Sequence, residues 1–292
     1  MRPTILVTGA GGQIGFELAR LLASCGEVIA PDRAKLDLSD PDAIVAAMRG
    51  VQPALVVNAG AYTAVDRAET EPSLAHAVNS RAPGILAEET KRLGAVLIHY
   101  STDYVFDGLR TTPYPEDAPT APLNVYGTSK RDGERAIAAT GAHALVFRTS
   151  WVYGLRGKNF LLTIRRLAAE RDELSIVADQ TGVPNWSRAL AQATARIVET
   201  GLAAAAERAG LYHLSSTGEA SWHDFACAIV GDVPRPRVVP ITTAQFPTPA
   251  RRPAYGVLAT ARFETTFGFG LPQWREALAH CVSSATEPVQ PA

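Results

Sequence analysis

The sequence predicts an α/β chain: a doubly wound parallel sheet with helices on both faces, followed by a smaller C-terminal lobe. Three observations carry this. Short, unbroken apolar runs recur through the first half, which suits strands buried on both faces. Stretches with helical spacing separate them, the alternation that parallel crossovers require. Beyond Trp151 the alternation loosens and proline-rich, irregular sequence takes over.

The elements follow in order. Residues 4–8 read as the first buried strand, 9–15 as a turn and 14–23 as an amphipathic helix. Residues 27–30 and 54–57 are the second and third strands. A long helix is expected over 73–93, stopped by Gly94. Residues 95–100 and 144–147 supply strands four and five. After Trp151, helices are expected at 159–170 and 187–198, a short strand at 211–214, irregular chain over 233–253 and a polar tail at 284–292. Residues 1–150 form one domain, with 189–214 returning to its sheet; 151–188 and 215–292 form the smaller lobe.

Bulk properties exclude several classes. The chain has 292 residues, 47% of them apolar, enough for a substantial core without disulfides. A net charge of -1 gives no electrostatic footprint for nucleic acid or an anionic membrane. No apolar run reaches the roughly 18 residues of a membrane span. Cys25, Cys227 and Cys281 are odd in number and far apart, which reads as three reduced thiols in a cytoplasmic protein and as no metal site. The first strand begins almost at Met1, leaving no room for a signal peptide.

The first turn carries Gly9, Gly12 and Gly15 between a strand and a helix. Glycines let a backbone turn tightly against a pyrophosphate, and the helix N-terminus adds N–H groups and a favourable dipole. This context points to dinucleotide binding. Asp32 ends the second strand, where a carboxylate can accept both ribose hydroxyls of NAD. Arg33 is placed to meet the 2′-phosphate of NADP, so NADH and NADPH both stay open. Asp37 and Leu38 are candidates for the adenine, while Ser39 or Asp40 reads as a helix N-cap before Pro41. Small residues after the third strand, through Ala61, Tyr62 and Thr63, would let a cofactor cross the sheet edge.

Tyr126 and Lys130 are four apart and share a helix face. An ammonium beside a phenol favours the phenolate, so Lys130 is expected to lower the Tyr126 pKa from its usual value near 10. Thr102, at the carboxyl edge of the fourth strand, can hydrogen-bond a substrate carbonyl. Together they read as a carbonyl reductase: Tyr126 gives a proton as hydride arrives from NAD(P)H. Asp103 either binds a sugar hydroxyl or caps the next turn. His99 reads as a satisfied core histidine. Trp151 is placed to stack on a sugar or base. Arg251 and Arg252 either grip a diphosphate or are solvated.

These residues resemble the extended short-chain dehydrogenase/reductases, and among them the dTDP-4-dehydrorhamnose reductase family. The resemblance rests on Gly-Gln-Ile-Gly at 12–15, Asn-Ala-Gly-Ala-Tyr-Thr-Ala-Val-Asp at 58–66 and His-Tyr-Ser-Thr-Asp-Tyr-Val-Phe-Asp at 99–107. Further matches are Pro-Leu-Asn-Val-Tyr-Gly-Thr-Ser-Lys at 122–130, Arg-Thr-Ser-Trp-Val-Tyr at 148–153, Tyr-His-Leu at 212–214 and Pro-Ala-Arg-Arg-Pro at 249–253. It implies a Rossmann-like fold and reduction of the C4 ketone of dTDP-4-dehydro-L-rhamnose, supplying rhamnose for polysaccharide such as lipopolysaccharide O-antigen. It implies Thr102, Asp103, Tyr126 and Trp151 at a dTDP-sugar, and Lys130 on the cofactor ribose. It selects Gly12, Gln13, Ile14, Asp32, Asp37, Leu38, Ala61, Tyr62 and Thr63 for the cofactor.

The sequence departs from the family pattern at Asn185, where threonine is expected, and at Tyr255-Gly256, where Asn-Ser is usual. Some relatives form a metal-bridged dimer through glutamates. Glu17 stands at one such position but Arg188 at another, so a monomer or homodimer without that metal is expected. Two other readings are a reductase of another nucleotide-linked keto sugar and a catalytically silent NADP-binding regulatory subunit. An intact Thr102, Tyr126 and Lys130 speaks against the silent one.

Overall fold

The computed structural model describes residues 2–284. Strands β1 (Thr4–Thr8), β2 (Glu27–Ile29), β3 (Leu55–Asn58), β4 (Val96–Thr102) and β5 (His143–Thr149) join the strand Gly210–His213 in one parallel sheet. Its order is β2-β1-β3-β4-β5 and then Gly210–His213. The chain runs outward from β1 to β2 and crosses back to β3. That reversal opens a crevice at the carboxyl ends of β1 and β3, where ligands bind in such sheets.

The apolar runs bury both faces, as a parallel sheet demands. Ile5, Val7, Leu55, Val57 and Ile98 pack on one side against Leu18 of helix α1 (Gln13–Leu21) and against Leu190 and Ile197 of the helix Ser187–Glu199. Their neighbours Leu6, Val56 and Leu97 pack on the other side with Ile44, Met48, Leu86 and Ile137. A third core beneath the later part of the chain gathers Tyr153, Leu161, Trp186, Phe225 and Trp274. The sequence signals for helix ends hold locally. Asp40 accepts from the N–H groups of Asp42 and Ala43, Asn159 caps Phe160–Glu170, and Gly94 ends its helix at φ 66°.

The long helix expected over 73–93 is present and runs without a break over 72–93, but it widens midway: Pro72–His76 and Ala82–Leu93 flank a π-helical turn at Ala77–Arg81. There the Asn79 side chain binds both the N–H and C=O of Tyr62, at 2.8 and 3.0 Å. The helix Val125–Thr140 also crosses so closely that a Cβ on Gly133 would lie 2.1 Å from Asn79 O. A one-residue widening leaves apolar spacing nearly unchanged, so periodicity misses it. The expectation for 233–253 fails: the segment contains a strand, Arg237–Ile241, paired in parallel with Glu173–Val177. Its prolines read as breakers, but this pair stands apart as a two-stranded sheet, and an edge strand tolerates Pro240. Of the expected tail at 284–292, all but Ser284 lies outside the described residues.

Candidate active site

The glycine turn is built by close backbone approach. Gly9 adopts φ 70°, and a Cβ there would lie 2.5 Å from Gly60 N. A Cβ on Gly15 would lie 2.2 Å from Gly9 O. Gly12 caps α1 without any side-chain bond, so the first-turn N–H groups are not covered by a cap. This side-chain-free cradle at a helix N-terminus fits a dinucleotide pyrophosphate.

Around it, Asp32 is exposed and Asp37 receives the N–H and hydroxyl of Ser39, both at 2.8 Å. Those bonds, with the Arg33 guanidinium 3.5 Å away, hold Asp37 below the usual carboxylate range. Leu38 closes over Gly60. Ala61, Tyr62 and Thr63 leave β3, with the Tyr62 phenol donating to Glu71. The side chains of Gln13 and Ile14 serve other ends. Gln13 Nε2 donates to Val152 O at 3.2 Å while its Oε1 accepts from Asn159, and Ile14 packs into the core. Only their main chain is free for a cofactor.

Thr102 ends β4, and the helix Val125–Thr140 brings Tyr126 to it. Asn124 caps that helix through Gly127 N and also donates to Arg251 O. A Cβ on Gly127 would lie 2.2 Å from Tyr104 O, so glycine lets the helix settle onto the loop after β4. Thr102 donates to Asp103 Oδ1 at 3.1 Å, receives Tyr104 N at 3.2 Å and lies close enough to the Tyr126 phenol to favour its charged form.

The electrostatics reverse the expected direction. Burial pushes the Tyr126 phenol up to about 12; the nearby Thr102 hydroxyl opposes this and the Asp103 charge adds to it. Lys130 does not lower it, because its Nζ is turned to the strand: it donates to Tyr100 O at 2.6 Å and lies 3.2 Å from His99 Nε2. Burial pulls Lys130 down to about 8, against the pull of Glu134. Burial also raises Asp103 to about 7, and its Oδ2 has no partner. Gly256 abuts that oxygen: a Cβ there would lie 2.5 Å away. The departure at 256 therefore suits the way Asp103 is packed here.

Trp151 occupies the left-handed region at φ 42° and stacks on Trp222, with ring centroids 3.5 Å apart and planes within 8°. One indole face is thus covered, which leaves less of Trp151 for a sugar than expected. Arg252 is occupied too. Its guanidinium pairs with Asp66 at 2.8 Å and bonds Thr248 and Ala250 O, so it is no free fork for a diphosphate. Arg251 is exposed. Asn185 is buried and structural. It donates to Ser150 O and Val183 O and accepts from Ser216 N, tying the segment before Trp151 to the chain after Gly210–His213. A threonine has no second donor for that set. Arg188 pairs with Glu17 at 3.2 Å.

Four residues beside the site escaped sequence reasoning as functional: Asn58, Asn79, His99 and Trp222. Asn79 stands among other polar residues, His76, Ser80 and Arg81, so nothing in the local pattern marks it. The Trp151–Trp222 stack and the Asn58–His99 contact join positions too distant for any local pattern.

Comparison with known proteins places the whole chain in a family. The family model described as RmlD substrate binding domain matches residues 1–287. A dTDP-4-dehydrorhamnose reductase of Burkholderia thailandensis is 50% identical over 290 residues, 95% of this chain and 97% of that protein. One of Escherichia coli K12 is 42% identical over 283 residues, 93% and 94% of the two chains. Among solved structures, a dTDP-4-dehydrorhamnose reductase of Bacillus anthracis in complex with NADP superposes with a TM-score of 0.91 at 33% identity, covering 97% of this chain and all of that one. Fold and site together define an oxidoreductase of the extended short-chain dehydrogenase/reductase class. Within that class the chain belongs to the dTDP-4-dehydrorhamnose reductase family.

Proposed function

We propose that the protein reduces the C4 ketone of dTDP-4-dehydro-L-rhamnose to dTDP-L-rhamnose in the cytoplasm, taking the proton from Tyr126. The observation that carries this is the juxtaposition of the buried Thr102 and the half-buried Tyr126 at the carboxyl edge of β4. NADPH or NADH, held by the main chain of the glycine turn and by Asp32, Asp37, Leu38 and residues 61–63, supplies the hydride when bound.

Burial keeps the Tyr126 phenol fully protonated near neutral pH, so it stores the proton the product needs. An alkoxide is a stronger base than a phenolate, and the transfer stays downhill even from a phenol at about 12. Thr102, beside Tyr126, supplies a second hydroxyl at the developing charge. Asp103 Oδ2, buried and unpartnered, is a binding group for a sugar hydroxyl. Residues 1–150 with 189–214 act as the cofactor domain, and 151–188 with 215–292 as the substrate lobe. The test is consumption of NAD(P)H with dTDP-4-dehydro-L-rhamnose beside other nucleotide-linked keto sugars. Turnover of another sugar alone reassigns the substrate. Coenzyme binding with no turnover of any points to the silent regulatory subunit.

A further inference from the structure

A row of polar residues crosses three neighbouring strands, at the ends of β1 and β3 and midway along β4, and the proposed reaction has no direct use for it. In register, Thr8 lies beside Asn58 and Asn58 beside His99. Their side chains join across the sheet. Thr8 Oγ1 donates to Asn58 Oδ1 at 2.6 Å, and Asn58 Nδ2 meets His99 Nδ1 at 3.0 Å. The other ring nitrogen, Nε2, lies 3.2 Å from Lys130 Nζ. All four residues are at most 2% exposed. The chain starts one residue before Gly9, so it runs from the glycine turn to the lysine.

We propose that His99 is the positioning residue for Lys130, and that Thr8 and Asn58 fix which ring nitrogen carries the proton that faces it. This rests on the reading of Lys130 as part of the reductase site. Oδ1 of Asn58 faces the Thr8 hydroxyl, and its Nδ2 faces the imidazole. An amide N–H needs an acceptor, so Nδ1 offers its lone pair and the neutral ring carries its proton on Nε2. Burial and the adjacent lysine hold His99 well below its ordinary pKa, so the ring stays neutral. An N–H aimed at Nζ favours the amine over the ammonium. Tyr100 O and Glu134 favour the ammonium, and Glu134 is itself bound to Arg148 and Ser101. The lysine is therefore held at a fixed place between opposed influences, where it can change charge without moving.

Two measurements test this. In protein with isotope-labelled histidine, the His99 resonance is the one among six that His99→Gln removes. The wild-type ring should stay neutral with its proton on Nε2 from about pH 5.5 to about 8.5. A proton on Nδ1, or protonation within that range, overturns the proposal, and this readout needs no turnover. In the keto-sugar assay, His99→Leu should lower kcat about tenfold, with less than about a threefold change in cofactor KM. Its alkaline midpoint for kcat should rise by about half a pH unit, because the N–H that favours the amine is gone. His99→Gln still offers an N–H and should recover kcat to within about threefold. A leucine variant with the wild-type rate and profile overturns the proposal. So does a glutamine variant as impaired as leucine while melting like wild type. If the wild type turns over no keto sugar, the proposed function fails, and the resonance still decides the role of His99.

Discussion

The glycine turn and the Thr102–Tyr126–Lys130 cluster sit at one edge of one sheet and are made in opposite ways. The turn depends on missing side chains: Gly9 and Gly15 bring main chain against main chain, and no buried titratable side chain is needed. The cluster depends on buried polar side chains: Thr102, Asp103 and Lys130 are each at most 5% exposed. Steric change should therefore damage the first, and a change of charge or proton the second.

The largest effect is expected from removing one oxygen. Tyr126→Phe should lower kcat by about 10² to 10⁴, with the NADPH Kd measured by fluorescence titration unchanged. Undiminished turnover would take the proton-donor role from Tyr126. Next, Gly15→Val should weaken NADPH binding and destabilise by about 3 kcal/mol, since its Cβ meets Gly9 O and backbone must move. Wild-type melting and binding in that variant would erase the contrast.

Asp103→Asn sharpens the comparison from the other side. Because burial raises the folded pKa of Asp103 to about 7, its stabilising contribution is complete below the unfolded value and is lost as pH rises toward 7. The neutral variant should therefore melt like wild type near pH 3.5 and gain stability through about pH 4 to 7. The gain should level off above that at about 2 kcal/mol, half the ceiling of about 4 that the full shift allows. A gain independent of pH would mean that packing, not charge, is being relieved. Smallest, Gln13→Ala should cost about 1 kcal/mol in thermal melts by releasing Val152 and Asn159 while leaving NADPH binding intact. A large loss of NADPH affinity would assign the Gln13 side chain to the cofactor after all.

The two regions also differ in how well the sequence exposed them. Thr4–Thr8, the glycine spacing and the Gly94 stop are local patterns, and the structure keeps them. The four-residue spacing of Tyr126 and Lys130 was equally legible. The conclusion that the lysine would acidify the phenol did not hold, because Nζ bonds Tyr100 O on β4 instead. Arg252 shows the same limit. Its residue type suits a diphosphate, but Asp66, far off in sequence, already fills its fork. Asn185 was legible only as a departure; its hydrogen bonds to Ser150, Val183 and Ser216 show its use.

The sequence alone determined the parallel sheet, the side-chain-free turn and the spacing that sets Tyr126 and Lys130 on one helix. Strand burial, backbone freedom and helical spacing are all set by near neighbours. Only the tertiary structure decided the proton and charge state of Tyr126, Asp103 and Lys130 and the partner each faces. Those depend on desolvation, and desolvation is imposed by segments that meet only when the whole chain has folded.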